Sequence, residues 1–398
     1  TDTDADTGAE PREPGAVAWN HLVDAPEGDA AGGRGITIGG DDHVYVAGWI
    51  EGPASTHPGA FTNLDVFVRK ITRDGAQVWT LVHDEEISGF DRGLAIAPLG
   101  ADAVVVAGQN QIAGDNGDLW VRAIASDATV LWTTTESGTN FADDAAYGVT
   151  ARDDGSLVVA GQVYGGAPMN DDAVIWLEHM TGAGAPLEMT WVEGDGDPWH
   201  ASAQALALHP DGASIVAAGI RPAADAARIW VGRYDGDLAP VWTQTLTDDP
   251  GIAHGVAVTA SGDPIVAAAI GSVGILGYPD GPTSAWIGRL GADDGAVAWS
   301  ITRDETGYQR ALAITIDSAG EVIVVGEAGD ALEAGAAWIA KFDPADGSEI
   351  WSVTELVEDG VTSARALGVT TDSERNIYIT GSLTMADGER LWVQRRAL

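Results

Sequence analysis

The sequence has no cysteine, and only Lys70 and Lys341 are lysines among 20 basic residues facing 60 acidic ones. Without cysteine there is no disulfide, no thiolate metal site and no cysteine nucleophile. Phenylalanine occurs five times, and no apolar run approaches the roughly 18 residues that a membrane-spanning helix needs. A formal charge of −40 repels nucleic acid and anionic membrane, so neither is an expected partner. Catalytic signatures are missing too. There is no G-x-S-x-G elbow, no H-E-x-x-H pair and no phosphate-cradling loop, and carboxylates are so common that no pair stands out.

What the chain does have is repetition. Arg310 to Trp351 reads as four short apolar runs separated by turn residues, and the pattern occurs seven times. The first run appears as GITI at Gly35, GLAI at Gly93, GVTA at Gly148, ALAL at Ala205, GVAV at Gly255, ALAI at Ala311 and ALGV at Ala366. The second is nearly all apolar, as in VYVAG ending at Gly48 and VIVVG ending at Gly326, so both of its faces should be buried. The third carries Phe67, Trp120, Trp176, Trp230, Trp286, Trp338 and Trp392; the fourth carries Trp19, Trp79, Trp132, Trp191, Trp242, Trp299 and Trp351. These aromatics read as packing anchors between repeats. A base follows the third-run aromatic by two or three places in six copies, and turn carboxylates are its natural partners. The third copy departs, with Glu178 and His179.

Seven such units imply an all-β fold: one seven-bladed β-propeller of four-stranded antiparallel blades over residues 15–398. The chain opens on a fourth-type run (Val17 to Asn20) and stops after a third-type run (Leu391 to Gln394). The N-terminal strand is therefore expected to complete the last blade and close the ring. Residues 1–14 are acidic and lack apolar side chains, which reads as a disordered tether.

The residues just before the first runs are Arg34, Arg92, Tyr147, Gln204, His254, Arg310 and Arg365. In a propeller they would ring the mouth of the axial channel, where guanidinium groups form a multidentate anion site. Acids precede the same strands, including Asp91, Asp143, Asp144 and Asp304, and an internal ring of ion pairs is the competing reading. Trp49 and Trp199 are the two tryptophans outside the repeating series, and either could stack a sugar. Trp199 sits in the loop EGDGDPWHAS, which with GDNGD (Gly114 to Asp118) and NDD (Asn170 to Asp172) could offer oxygen ligands. Calcium is the one cofactor left open. The expected function is a non-catalytic binding or scaffold module for a protein, a glycan or a small anion. A lyase or hydrolase on acidic glycans, with His254 or Tyr147 as base, is the alternative; a purely structural surface protein is the third reading.

The first copy, RGITIGGDDHVYVAGWI followed by HPGAF and DVFVRKITRDG, resembles the seven-bladed β-propeller repeat family of bacterial secreted and surface proteins. The resemblance implies the propeller and an extracellular or cell-surface location. The Asp/Thr-rich leader Thr1 to Pro14 is similar to those that follow the lipid-modified cysteine of bacterial surface lipoproteins, so a lipid anchor upstream of Thr1 is an expectation. It implies little about activity. FDPADGSEIW (Phe342 to Trp351) and LGADDGAVAW (Leu290 to Trp299) are also similar to the tryptophan-docking repeat of quinoprotein dehydrogenases and a related outer-membrane assembly lipoprotein. Those proteins generally carry eight such units, and the cysteines common near their quinone have no counterpart here.

Overall fold

The computed structural model describes residues 15–23, 30–52, 63–83, 89–111, 117–136, 143–164, 173–192, 201–222, 226–274, 279–304, 307–331 and 334–397. The described residues form 28 strands and no helix. They pair as antiparallel four-stranded meanders, running from an inner strand to an outer one. The inner strands are Ala31–Ile38, Arg92–Leu99, Ala145–Ala151, Ser202–Leu208, Gly251–Val258, Tyr308–Ile316 and Val361–Thr371. The fifth and sixth sheets touch through a single parallel bridge, Thr283 to Tyr308. In the last sheet the outer strand is Val17–Val23, paired antiparallel with Gly388–Arg396. Gly15 and Ala397 are joined by a backbone hydrogen bond, and Arg396 donates to the Gly15 carbonyl at 2.6 Å. Each inner strand packs against the inner strands before and after it in the chain, and Ala31–Ile38 also packs against Val361–Thr371.

Every inner strand carries a one-residue bulge at the same place, at Arg34, Leu94, Tyr147, Gln204, His254, Leu312 and Leu367. The extra residue bends the strand and aims its side chain inward. It also drives a carbonyl toward the second strand. A Cβ on Gly48 would run into the Gly32 carbonyl, and one on Gly326 into that of Arg310. Glycine closes the second run in six copies and so avoids that contact; the fifth carries alanine there beside the same bulge, so glycine is favoured by the bulge and not obligatory.

The third-strand aromatics are all buried. Most outer-strand tryptophans dock onto the turn between the third and fourth strands of the next sheet. Trp19 donates to the Arg73 carbonyl at 2.9 Å, Trp132 to Gly182 at 3.0 Å, Trp242 to Ala292 at 2.9 Å and Trp299 to Pro344 at 3.0 Å. Trp351 meets Gly15 instead, because its neighbour is the sheet completed by the N-terminal strand. Trp191 departs from the series. Trp132 pairs with Ala123, three residues beyond Trp120, whereas Trp191 pairs directly with Trp176. The docking position in the third sheet falls to Glu188, opposite His179. Leu238, in the receiving turn of the fourth sheet, is 1% exposed and packs into the intervening core, while Trp191 is 38% exposed.

Candidate functional site

The bulges build the site. One ring, at the bulge itself, consists of Arg34, Leu94, Tyr147, Gln204, His254, Leu312 and Leu367, and with the two residues after each it lines a narrow axial channel. A second ring lies two residues earlier on each strand: Gly32, Arg92, Ala145, Ser202, Ile252, Arg310 and Arg365. Above the channel the two rings enclose a funnel of about 470 Å³. The seven residues read from the sequence as one ring therefore occupy two layers. Arg34, Tyr147, Gln204 and His254 are in the deep one; Arg92, Arg310 and Arg365 are in the outer one. All seven line the funnel. The leucines of the deep ring went unread, because a slide of two residues keeps a strand's faces unchanged and alternation cannot detect it.

The cations are grouped. Arg310, Arg365, Arg34 and Arg92 belong to the sixth, last, first and second sheets, which are neighbours. The far side of the funnel is mostly uncharged, with Tyr147, Gln162, Ser202, Gln204 and His254, and carries one acid, Asp143. Two of the guanidiniums are neutralised. Arg310 Nε is 2.7 Å from Glu327 Oε1, and Arg365 Nη2 is 3.3 Å from Glu389 Oε1. Three of the acids read as candidates for this accept backbone amides instead. Asp91 accepts from the Gln111 amide at 2.7 Å, Asp144 from the Tyr164 amide at 2.7 Å and Asp143 from the Gly117 amide at 3.0 Å. Glu327 was legible in principle: it directly follows the second-run glycine, the place held elsewhere by Trp49, Gln109, Gln162 and Ser382, and that place pairs with the outer ring.

Arg92 and Arg34 have no carboxylate partner among the described residues. Arg92 donates to Gln109 Oε1 at 3.0 Å and its Nε is buried without a partner. Arg34 makes no hydrogen bond or ion pair with the described residues, and its half-buried guanidinium faces the funnel. Burial, with Arg310, Arg365 and Arg92 nearby, lowers Arg34 to about 10 against the raising effect of Tyr147, so it stays charged at neutral pH. His254 is held well below its ordinary range, first by burial and then by Arg310 and Arg34. It is neutral at pH 7 and a weak proton acceptor, and its Nε2 is buried without a partner. Trp49 lies against Gly32, in the volume an outer-ring side chain would fill, and forms part of the funnel wall.

The bases of the third strand separate by face. Arg233, Arg289, Lys341 and Arg395, three places past the aromatic, reach turn carboxylates: Arg289 to Asp263 at 2.6 Å, Lys341 to Asp317 at 3.0 Å, Arg233 to Asp211 at 3.7 Å and Arg395 to Asp74 at 3.9 Å. They are structural. Arg69 and Arg122, two places past it, lie between sheets. Trp199, the HPGAF loop (His57 to Phe61) and the loops EGDGDPWH and NDD lie outside the described residues, as do the first three residues of GDNGD. Among the described residues no three His, Asp or Glu side chains gather as a metal ion would require, and no helix is long and apolar enough to cross a membrane.

No protein-family model matches the chain, and no curated protein does. Solved structures do. The chain is similar to hydrazine synthase of Kuenenia stuttgartiensis, with a TM-score of 0.55 at 12% identity over 92% of this chain and 96% of that one. Sqt1 of Chaetomium thermophilum gives 0.53 at 12% identity, covering 96% and 98%. A quinohemoprotein alcohol dehydrogenase of Pseudomonas putida HK5 gives 0.51 at 11% identity, covering 96% and 76%. Sqt1 has also been solved bound to the N-terminus of the ribosomal protein L10. At such identities the likeness speaks for the fold alone: the chain is a β-propeller.

Proposed function

We propose that the chain is a seven-bladed propeller, closed by its N-terminal strand, that binds a small anionic ligand in its axial funnel without acting on it chemically. The 28 strands fit seven four-stranded blades, and the pairing of Val17–Val23 with Gly388–Arg396 supports closure. Export to a bacterial surface, on an acidic tether formed by residues 1–14, accords with the strongly acidic composition. The resemblance of its repeats to secreted propellers supports the same reading.

Arg34 is the observation that carries the binding reading. A guanidinium so enclosed is costly without a counter-ion, and the funnel above it is wide enough for a carboxylate, phosphate or acidic sugar. The Gln and Ser side chains opposite would hydrogen-bond the neutral part of such a ligand. A protein ligand with an acidic tip would satisfy the same chemistry, and the Sqt1 complex shows one propeller of this shape holding a peptide terminus. Calorimetric titration with citrate, glucuronate and inorganic phosphate at low ionic strength tests the proposal. At least one should bind, and Arg34→Gln should weaken it about tenfold or more while leaving thermal stability unchanged or higher. Silence from all three, or equal binding by the variant, overturns it.

A further inference from the structure

Each third-strand aromatic faces the outer strand of the preceding sheet, and most of the crevices between them hold a guanidinium. Arg69 Cζ lies 5.0 Å from the centre of the Phe67 ring, and its Nη1 is 2.8 Å from His21 Nε2. Arg122 Cζ lies 4.9 Å from Trp120, and its Nε donates to Thr133 at 2.9 Å. Arg303, the last residue of the fifth outer strand, lies 5.0 Å from Trp338. Arg396 pairs with Glu355 in the crevice before the last sheet. Where Gly232 and Gly288 follow Trp230 and Trp286 by two places, the indole itself lies over the glycine.

The crevice between the second and third sheets has neither arrangement. Glu178 stands two places past Trp176, where Arg122 stands past Trp120, and it faces Glu136 at the end of the second outer strand. Its side chain is 1% exposed, and both carboxyl oxygens lack a hydrogen-bond partner. Met189 replaces the hydroxyl of Thr133 as its cross-strand neighbour. Burial, then the nearby Glu136 carboxylate, pushes Glu178 up to about 7. Two acids thus meet in this crevice, where four sister crevices hold a cation. Outside, Leu187, Met189 and Trp191 are exposed at alternate positions along one face of the third outer strand.

We propose that this crevice receives a guanidinium from another molecule: an arginine side chain presented by a basic protein segment whose apolar residues cover Leu187, Met189 and Trp191. The arginine would lie between Glu136 and Glu178 on Trp176, as Arg122 lies on Trp120, joining charge-assisted hydrogen bonds to a cation–π contact. Met189, unbranched and adaptable, has to swing aside to admit it. The chain's charge of −40 draws basic segments toward it. Trp191 is available at this edge because it stands out of register with the docking tryptophans.

The probe is N-acetyl-arginine amide, titrated calorimetrically into the protein at pH 8, with the uncharged N-acetyl-citrulline amide as control. The arginine compound should bind and the citrulline compound should not. Glu178→Gln should weaken binding about tenfold or more, as expected when one charged partner of a paired guanidinium is lost. Glu178→Arg fills the crevice from within, as Arg122 does, and should abolish uptake in a protein at least as heat-stable as the wild type. Equal binding of the two probes, or binding undiminished in either variant, overturns the proposal. Arg34→Gln should leave this site untouched, so its outcome and that of the funnel are separable.

Discussion

Replacing Glu178 by glutamine should make the protein more stable at neutral pH and above. Glu178 is deeply buried, its oxygens have no donor, and Glu136 is its charged neighbour. In the unfolded chain it ionises near 4.5, and in the fold only near about 7. Between these values the folded protein keeps a proton that the unfolded chain has lost, so stability falls as pH rises through that window and is level above it. The displacement corresponds to about 3 kcal/mol at pH 8, an upper figure since relaxation and water entry reduce it. Glutamine is nearly isosteric with the protonated acid and does not ionise. The variant should match the wild type near pH 4.5 and exceed it by up to about 3 kcal/mol at pH 8. For a chain of this length that is about 4 °C in Tm. Scanning calorimetry of both proteins from pH 4.5 to 9 measures it, and the difference between the curves cancels the titrating groups that do not interact with Glu178, leaving that residue and its neighbour Glu136. Parallel curves, or a variant less stable at pH 8, would refute the reasoning.

The tryptophans should divide by register. Trp242→Ala removes a docked indole and its bond to the Ala292 carbonyl and should cost about 3–5 kcal/mol, whereas Trp191→Ala should cost under about 1 kcal/mol; urea denaturation of the two variants compares them. The arginines of the funnel should divide by partner. Arg310→Ala leaves Glu327, 3% exposed, without its counter-ion and should destabilise by about 3–5 kcal/mol, while Arg34→Gln should not; equal thermal losses in the two would contradict the pairing described here.

The all-β architecture was readable because it rests on short-range chemistry. Period-two alternation gave the strands, Asp and Gly gave the turns, and the nearly continuous apolar second runs gave strands buried on both faces. The place of the last strand was readable as well, since a fourth-type run at the start and a missing one at the end can only complete each other. Even the docking tryptophans were visible as a series. The slot of Trp191 was not, because its offset from the third strand is set by the pairing register and by Leu238 in a neighbouring sheet.

The funnel was half readable. The sequence showed that arginines gather just ahead of the inner strands, since their positions follow from the repeat. It could not show that they form two layers, because a two-residue slide preserves every alternation. Only the bulge, a property of the paired strands, set Leu94, Leu312 and Leu367 beside Arg34 and lifted Arg92, Arg310 and Arg365 above it. Partnership was also a tertiary matter. Asp91 and Asp144 are near in sequence, yet backbone amides engage them, while Glu327 and Glu389 reach their arginines across strands. Local sequence determined which segment of each repeat lines the axis. Register and the packing of one sheet on the next decided which charges are paired and which, at Arg34 and Glu178, have no counter-charge among the described residues.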